Sequence, residues 1–157
     1  MHILGVDPGA GGALVLLDTE SNILDVIDMP TVEIKRGQRM VNQVSAQLTA
    51  ELLRKYKIDH AVLEKVHAMP GQGVSSMFAF GRASGVIEGV LSGLAIPTTL
   101  IPPQEWQKAM RVIGGKDGAR HRAMELWPNQ APLFARKKDD GRADAALIAA
   151  YGAKLCS

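Results

Sequence analysis

Short apolar runs separated by tight turns open the chain. Residues 3–7, 13–18 and 23–29 are three such runs, each with the length of a β-strand. Residues 8–12, rich in Gly and Pro, and residues 18–22 have the composition of turns. Because tight turns join neighbouring antiparallel strands, this pattern predicts a three-stranded antiparallel meander.

Strands and helices alternate in the prediction for the rest of the chain. After a polar stretch over residues 31–40, we expect a helix over about residues 42–56. Its apolar face would comprise Val44, Leu48, Leu52 and Leu53. The remaining predicted elements are a strand over 61–66, a long helix from 73 to about 94, a strand over 98–101, short helices near 104–110 and 117–126, and a last helix from about 141 to 155.

The order of these elements predicts an α/β fold. Strands that are separated by helices become parallel neighbours through right-handed crossovers. The three N-terminal strands add the antiparallel part. We therefore expect one domain over residues 1–157, with a mixed five-stranded sheet and helices on both of its faces.

Four glycines recur at every fourth position of the predicted long helix, at residues 81, 85, 89 and 93. This spacing places them along one face of the helix. Each costs about 1 kcal/mol of helix stability relative to Ala, so we expect a compensating close approach of another backbone. Tight packing on the sheet is the favoured interpretation, and a helix–helix contact between two copies is the alternative.

Length, hydropathy and cysteine usage exclude several classes of protein. No run of about 18 apolar residues exists, so no membrane span is predicted. The first residues lack the features of a signal peptide. Cys156 is the single cysteine, which rules out an intrachain disulfide and fits a reducing cytoplasm.

Positive charge is concentrated in the second half of the chain. Residues 1–78 contain 7 Lys and Arg against 9 Asp and Glu, whereas residues 79–157 contain 11 against 7. A one-sided positive field is typical of a protein that binds a polyanion, although a solvated basic surface would look the same.

Two acidic residues follow apolar runs and are candidate site residues. Asp7 ends the first predicted strand, just before Pro8 and Gly9. The carboxyl ends of strands are where α/β sheets place their sites, although an Asp before Pro-Gly is also an ordinary turn residue. Glu64 interrupts another apolar strand, and a buried carboxylate needs a partner, a proton or a metal. Alternatively, the side chain of Glu64 pairs with Lys65 or faces water at the end of the strand.

Two more acids lie at the start of the last predicted helix. Asp140 and Asp144 are four residues apart and share a helix face, although Asp140 is also a good N-cap. If the four acids converge, their oxygen ligands suit Mg²⁺ or Mn²⁺, and a pair of such ions can hydrolyse a phosphodiester. Four scattered His residues and one Cys give no zinc site.

These residues give the chain a resemblance to the RuvC family of Holliday-junction resolvases. The matching segments are Ile3-Leu4-Gly5-Val6-Asp7-Pro8-Gly9, Val62-Leu63-Glu64, Phe80-Gly81-Arg82-Ala83-Ser84-Gly85-Val86, Gly114-Gly115-Lys116-Asp117-Gly118-Ala119-Arg120 and Ala143-Asp144-Ala145-Ala146-Leu147-Ile148-Ala149. Each motif is weak alone, but the ordered set covers nearly the whole chain.

The resemblance implies a ribonuclease H-like fold, a homodimer and Mg²⁺-dependent cleavage of four-way DNA junctions. It implies metal binding by Asp7, Glu64 and Asp144. The family usually has its last two acids three residues apart, and Gly141 occupies that position here, so Asp140 is the candidate for the fourth ligand.

The same resemblance gives the basic residues a role in binding DNA. It makes Lys116 the candidate contact to the phosphate near the scissile bond. His67 stands where the family tends to have an aromatic residue at the junction. Contacts to the DNA backbone or to a flanking arm are expected from Arg36, Arg39, Arg120, Arg122, Lys137, Lys138 and Arg142.

Two other functions fit parts of the sequence. The Gly-rich turn over residues 8–12 would suit a phosphate loop of an actin- or kinase-like ATPase, but the chain is short for a two-lobed protein of that kind and has no GxxxxGK[ST] motif. A non-catalytic DNA-binding module would explain the basic residues, but it has no need of acids that face phosphate.

Overall fold

The central sheet has five strands, as the sequence predicts. The computed structural model describes residues 1–156. Strands β1 (His2–Asp7), β2 (Ala13–Asp18) and β3 (Ile23–Asp28) form the antiparallel meander. Strands β6 (His60–Glu64) and β7 (Thr98–Ile101) extend it in parallel beside β1, so the strand order is β3-β2-β1-β6-β7.

A separate two-stranded hairpin and five helices complete the fold. The hairpin consists of β4 (Thr31–Arg36) and β5 (Arg39–Val44). The helices are α1 (Ala46–Leu53), α2 (Val74–Gly93), α3 (Pro103–Ala109), α4 (Gly118–Leu126) and α5 (Asp140–Leu155). Short 3₁₀ turns span Gly115–Asp117, Pro128–Phe134 and Lys137–Asp139. Within residues 1–156, none of the helices has the length and apolarity needed to cross a bilayer.

Alternate residues of the strands face two separate cores, which confirms the prediction of helices on both faces. Ile3 and Val62 belong to the core beneath α5, whereas Leu4 and Leu63 belong to the core beneath α1 and α2. Since successive side chains of a strand point to opposite faces, Asp7 and Glu64 lie on the α5 face. The alternation therefore turns both candidate acids towards the last helix.

Helix α5 lies directly on β1 because glycines remove the side chains between them. A Cβ on Gly5 would overlap the carbonyl oxygen of Ala145, and a Cβ on Gly141 would lie 2.6 Å from the carbonyl oxygen of Gly11. Every residue of α5 from Ala145 to Ala150 is buried. The small residues of this helix therefore set its distance from the sheet.

The prediction of a helix over about residues 42–56 is wrong at its N-terminal end. Residues 31–44 form the β4–β5 hairpin, in which Thr31 pairs with Val44 and Gly37 adopts the positive φ of its turn. Ser45 caps α1 by accepting a hydrogen bond from the backbone N–H of Leu48 at 3.2 Å. The cap fixes the helix start at Ala46, so Val44 belongs to the hairpin and not to the helix. Because Leu48 is also exposed, the predicted apolar face of four residues does not form.

The favoured interpretation of the glycine repeat is also wrong. A Cβ added to Gly81, Gly85, Gly89 or Gly93 would meet no atom of this chain within 4 Å. Helix α2 instead packs on the sheet through Ala83, Ile87 and Leu91, all of which are buried. The four glycines therefore face away from the core.

We predict that Gly5→Ala destabilises the protein strongly, whereas Gly11→Ala does not. The Cβ at position 5 has to displace the backbone of α5, at a cost of about 1–3 kcal/mol or more. The Cβ at position 11 meets no atom within 4 Å, so its effect should stay within about 0.5 kcal/mol. Urea unfolding of both variants measures the difference, and equal stabilities would contradict the described seating of α5.

Candidate active site

Four acidic residues meet at the carboxyl end of β1. Asp7 and Glu64 are the last residues of β1 and β6, and the register that pairs Val6 with Leu63 places these strand ends side by side. Asp140 is the first residue of α5, and Asp144 lies about one helical turn later. The contact of Gly141 with the turn after β1 brings this end of the helix over the strand ends.

The four carboxylates also influence one another's ionisation. Burial, then the carboxylate of Glu64 and then that of Asp140, raises the pKa of Asp7 to about 7, although a hydrogen bond from the backbone of Gly9 lowers it. Burial raises the pKa of Asp144 to about 8, with further contributions from Asp7, Glu64 and Asp140. Like charges that are held together out of water favour protonation.

Most of these carboxylates have no basic partner. Within residues 1–156, neither Asp7, Glu64 nor Asp144 forms an ion pair, and Asp144 also accepts no hydrogen bond. In the same residues, no three Asp, Glu, His or Cys side chains have the arrangement of a ready-made metal site. The donor set suits a hard cation by its chemistry, because it consists of carboxylate oxygens that lack counter-charges.

A neighbouring tryptophan fixes the orientation of one of the acids. Trp106 is fully buried and donates its indole N–H to Glu64 Oε2 at 2.8 Å. Burial raises the pKa of Glu64, and this hydrogen bond lowers it by less. Asp140 forms a looser ion pair, in which the guanidinium Nε of Arg120 lies 3.4 Å from Asp140 Oδ1 without a hydrogen bond.

Trp106 and the role of Arg120 were not apparent from the sequence. Trp106 follows β7 on α3, 42 positions away from Glu64 along the chain, so no local pattern connects the two. The sequence offered only one signal, namely that a buried tryptophan requires a partner for its N–H.

The basic residues expected to bind DNA divide into two groups. Three lysines are exposed and line a cavity of about 350 Å³ together with Asp117 and Asp140; they are Lys116, Lys137 and Lys138. Arg36 and Arg39 are exposed and pair across the end of the β4–β5 hairpin, and His67 is exposed in the segment after β6.

Three of the predicted arginines instead bind within the chain. Arg120 is buried and donates to the carbonyl oxygens of Phe134 and Ala135 and to Asp117. Arg142 forms two hydrogen bonds of 2.7 Å with the carboxylate of Asp28. The third, Arg122, donates to the carbonyl oxygen of Met110 and to Glu125.

These contacts bear on the expected contacts with DNA. The guanidinium of Arg120 is out of solvent and bound to groups of the fold, so we expect a structural role for it. Arg122 and Arg142 pair with exposed carboxylates at the surface, and their contacts with DNA stay a prediction.

We predict that Asp144→Asn stabilises the metal-free protein at high pH. A carboxyl group whose folded pKa is raised from 3.8 to about 8 supports folding below its unfolded pKa and loses that contribution as pH rises through the folded value. The variant should therefore exceed wild type by more at about pH 9 than at about pH 5, by a difference on the order of a few kcal/mol.

Denaturant unfolding in the presence of a chelator measures this difference. Asp18→Asn is the control, because hydrogen bonds from Asn22 lower the pKa of Asp18, and its removal should give no gain at high pH. An equal effect of Asp144→Asn at both pH values would show that this carboxyl is not held among like charges.

Comparisons with known proteins agree with this geometry. No protein-family model matches the sequence. The chain is 33% identical over 90 residues to the Holliday junction resolvase MOC1, chloroplastic, of Chlamydomonas reinhardtii. The match includes 56% of this chain but only 10% of that protein, so the chain spans about a tenth of its curated relative.

Solved structures of RuvC share the fold over nearly the full chain. T. thermophilus RuvC in complex with a Holliday junction substrate has a TM-score of 0.66 at 15% identity, with 99% of this chain and 96% of RuvC covered. A second Thermus thermophilus RuvC structure has a TM-score of 0.60 at 15% identity, covering 99% and 97%. The chain therefore has the ribonuclease H-like fold of RuvC, as its sequence motifs predict.

Proposed function

We propose that the chain is a metal-dependent endonuclease that hydrolyses phosphodiester bonds in branched DNA, with four-way junctions as its main substrate. The observation that carries the proposal is the convergence of Asp7, Glu64, Asp140 and Asp144 at one end of the sheet, with three of the four lacking a basic partner. The fold of RuvC and the similarity to a Holliday junction resolvase support it.

The four acids are the proposed ligands of Mg²⁺, for which Mn²⁺ can substitute. Bound divalent ions would activate a water molecule and stabilise the leaving oxygen of the cleaved phosphodiester. Trp106 holds one oxygen of Glu64 through a hydrogen bond, and Arg120 forms an ion pair with Asp140.

The chain positions DNA through exposed cations on either side of the acids. Lys116, Lys137 and Lys138 line one cavity with Asp140 and would bind phosphates close to the scissile bond. Arg36 and Arg39 would contact the DNA backbone from the hairpin, and His67 would face the junction. Free Cys156 is exposed, which fits our inference of a reducing cytoplasm.

We predict that Asp7→Asn and Glu64→Gln abolish cleavage of synthetic four-way junctions but not junction binding. Each change removes a ligand charge and keeps the side-chain volume. Mn²⁺ should raise the thermal midpoint of wild type and not that of Asp7→Asn. Cleavage at the wild-type rate by either variant would refute the assignment of these ligands. If the chain were a nucleotide-binding ATPase or a non-catalytic DNA-binding module, the wild-type protein itself would not cleave junctions.

We predict that the double substitution of Lys137 and Lys138 by Ala weakens junction binding and flattens its salt dependence. Fewer phosphate contacts release fewer counterions, so the slope of log affinity against log salt should fall by about 2. Arg54→Ala is the matched control, because Arg54 ends α1 near Lys57, whose carbonyl contacts His2 at the opposite end of the sheet. An unchanged slope would remove the lysines from the interface.

We also propose that two copies associate through the exposed face of α2. Val74 and Phe78 are 87% and 71% exposed, and the glycines that follow them on the same helix meet no atom of this chain. An apolar face that leaves room for close backbone approach suits a second helix. A two-fold dimer would present two equal sites to a two-fold junction.

We predict that wild type sediments as a dimer at tens of micromolar and that Gly85→Leu sediments as a monomer. A leucine at position 85 has open space within its own chain, so the variant should keep its helix content and fold. A monomeric wild type at this concentration, or a dimeric Gly85→Leu, would contradict this interface.

A further inference from the structure

A second cavity lies on the other side of the turn that follows β1. It has a volume of about 290 Å³ and lies between the β4–β5 hairpin and the N-terminal half of α2. Its lining includes Ala10, Arg36, Asn42, Gln43, Phe80 and Arg82. The acids occupy the α5 face of the sheet, whereas α2 covers the opposite face, so this cavity is separate from the candidate metal ligands.

Neighbouring cavities lie between this one and the lysine cluster. One of them shares Ala10 and Asn42 with it, and its lining also includes Gly11, Lys138 and two acids, Asp28 and Asp139, which form ion pairs with arginines. Lys138 in turn lines the cavity of Lys116 and Lys137. A single DNA strand that follows these cavities would pass over the turn between Asp7 and β2.

The lining has the groups that recognise a nucleotide. The ring of Phe80 lies against the turn, and a Cβ on Gly9 would lie 3.5 Å from its Cε2 atom. Aromatic rings in such grooves stack on nucleobases of any sequence. The amides of Asn42 and Gln43 have both donors and acceptors for a base edge.

Two arginines at the rim of the cavity are free to bind phosphate. Arg36 and Arg82 are both exposed, and within residues 1–156 neither forms an ion pair or a side-chain hydrogen bond. This distinguishes them from Arg120, Arg122 and Arg142, which bind to carboxylates and carbonyls of the fold. An aromatic ring and two unpaired guanidinium groups in one cavity suit a nucleotide with its flanking phosphates.

We propose that this cavity binds one unpaired nucleotide of the cleaved DNA strand, with its base stacked on Phe80 and its phosphates held by Arg36 and Arg82. This inference rests on the proposed nuclease function and extends it to the choice of substrate. A base in an intact duplex must first leave its stack, whereas a base at a branch point is already weakly paired. The cavity therefore selects branched over linear DNA.

A double-mutant cycle between Phe80 and the DNA tests the proposal. The cleavage site of wild type is mapped first, and abasic nucleotides are then placed one at a time on either side of it. At one position, loss of the base should lower junction affinity and cleavage by wild type about tenfold, as expected for loss of one stacked base. Phe80→Leu should show the same loss on the intact junction and no further loss on that abasic junction.

Matched variants separate stacking from support of the turn. Phe80→Tyr keeps an aromatic ring and should behave as wild type on every substrate. Arg82→Ala should weaken junction binding and reduce its salt slope, whereas Arg54→Ala should not. If Phe80→Leu loses the same factor on intact and on all abasic junctions, Phe80 only supports the turn at Gly9 and the proposal is overturned.

The outcomes for the nucleotide cavity and for the nuclease are distinguishable. Failure of wild type to cut any branched substrate with Mg²⁺ or Mn²⁺ refutes the nuclease proposal. The cavity is then tested by affinity without metal, with abasic nucleotides placed one at a time on either side of the branch point. Cleavage by wild type together with the absence of coupling at every abasic position refutes the cavity and leaves the nuclease proposal intact.

Discussion

The fold depends on the direct contact between α5 and β1. Gly5 and Gly141 remove the side chains that would hold the helix away from the strand and from the turn after it. The small buried residues over Ala145–Ala150 continue this close approach along the helix. The position of the helix start follows from it, and with it the position of Asp140 and Asp144 above the ends of β1 and β6. Gly5 and Gly141 therefore influence the site only by allowing a short distance between the backbones of α5 and β1.

The acidic site that this contact creates lowers the stability of the metal-free protein. Carboxyl groups with pKa values raised to about 7 and about 8 oppose folding once they ionise, and salt bridges relieve only Asp140. Hydrophobic burial on both faces of the sheet must offset that cost. Binding of the cations that we propose would neutralise the cluster and offset this cost. Stability of the metal-free protein and the proposed catalysis would thus make opposite demands on the same four side chains.

Most of the fold was predictable because apolar periodicity and turn residues agree for β1, β2, β3, α2 and α5. The hairpin was not, since its strands are half-exposed and Lys35, Arg36 and Arg39 mask the alternation of Val32 and Ile34. The candidate acids were predictable by position, because Asp7 and Glu64 follow apolar runs and Asp140 and Asp144 share a face at the start of the last helix. The partner of Glu64, Trp106, was not, because it comes from a distant helix. The intrachain roles of Arg120 and Arg142 also depend on tertiary neighbours that charge counting cannot reveal.

The hydrogen bond from Trp106 to Glu64 also gives the protein a built-in optical reporter. The chain has 2 tryptophans, and the second, Trp127, donates to the carbonyl oxygen of Ser21 instead. Indole emission responds to the charge and distance of a neighbouring carboxylate, so only Trp106 senses what happens at Glu64. Replacing Trp127 by Phe would leave a single tryptophan, in contact with Glu64. Occupancy of the site could then be followed in real time, without a label and without DNA.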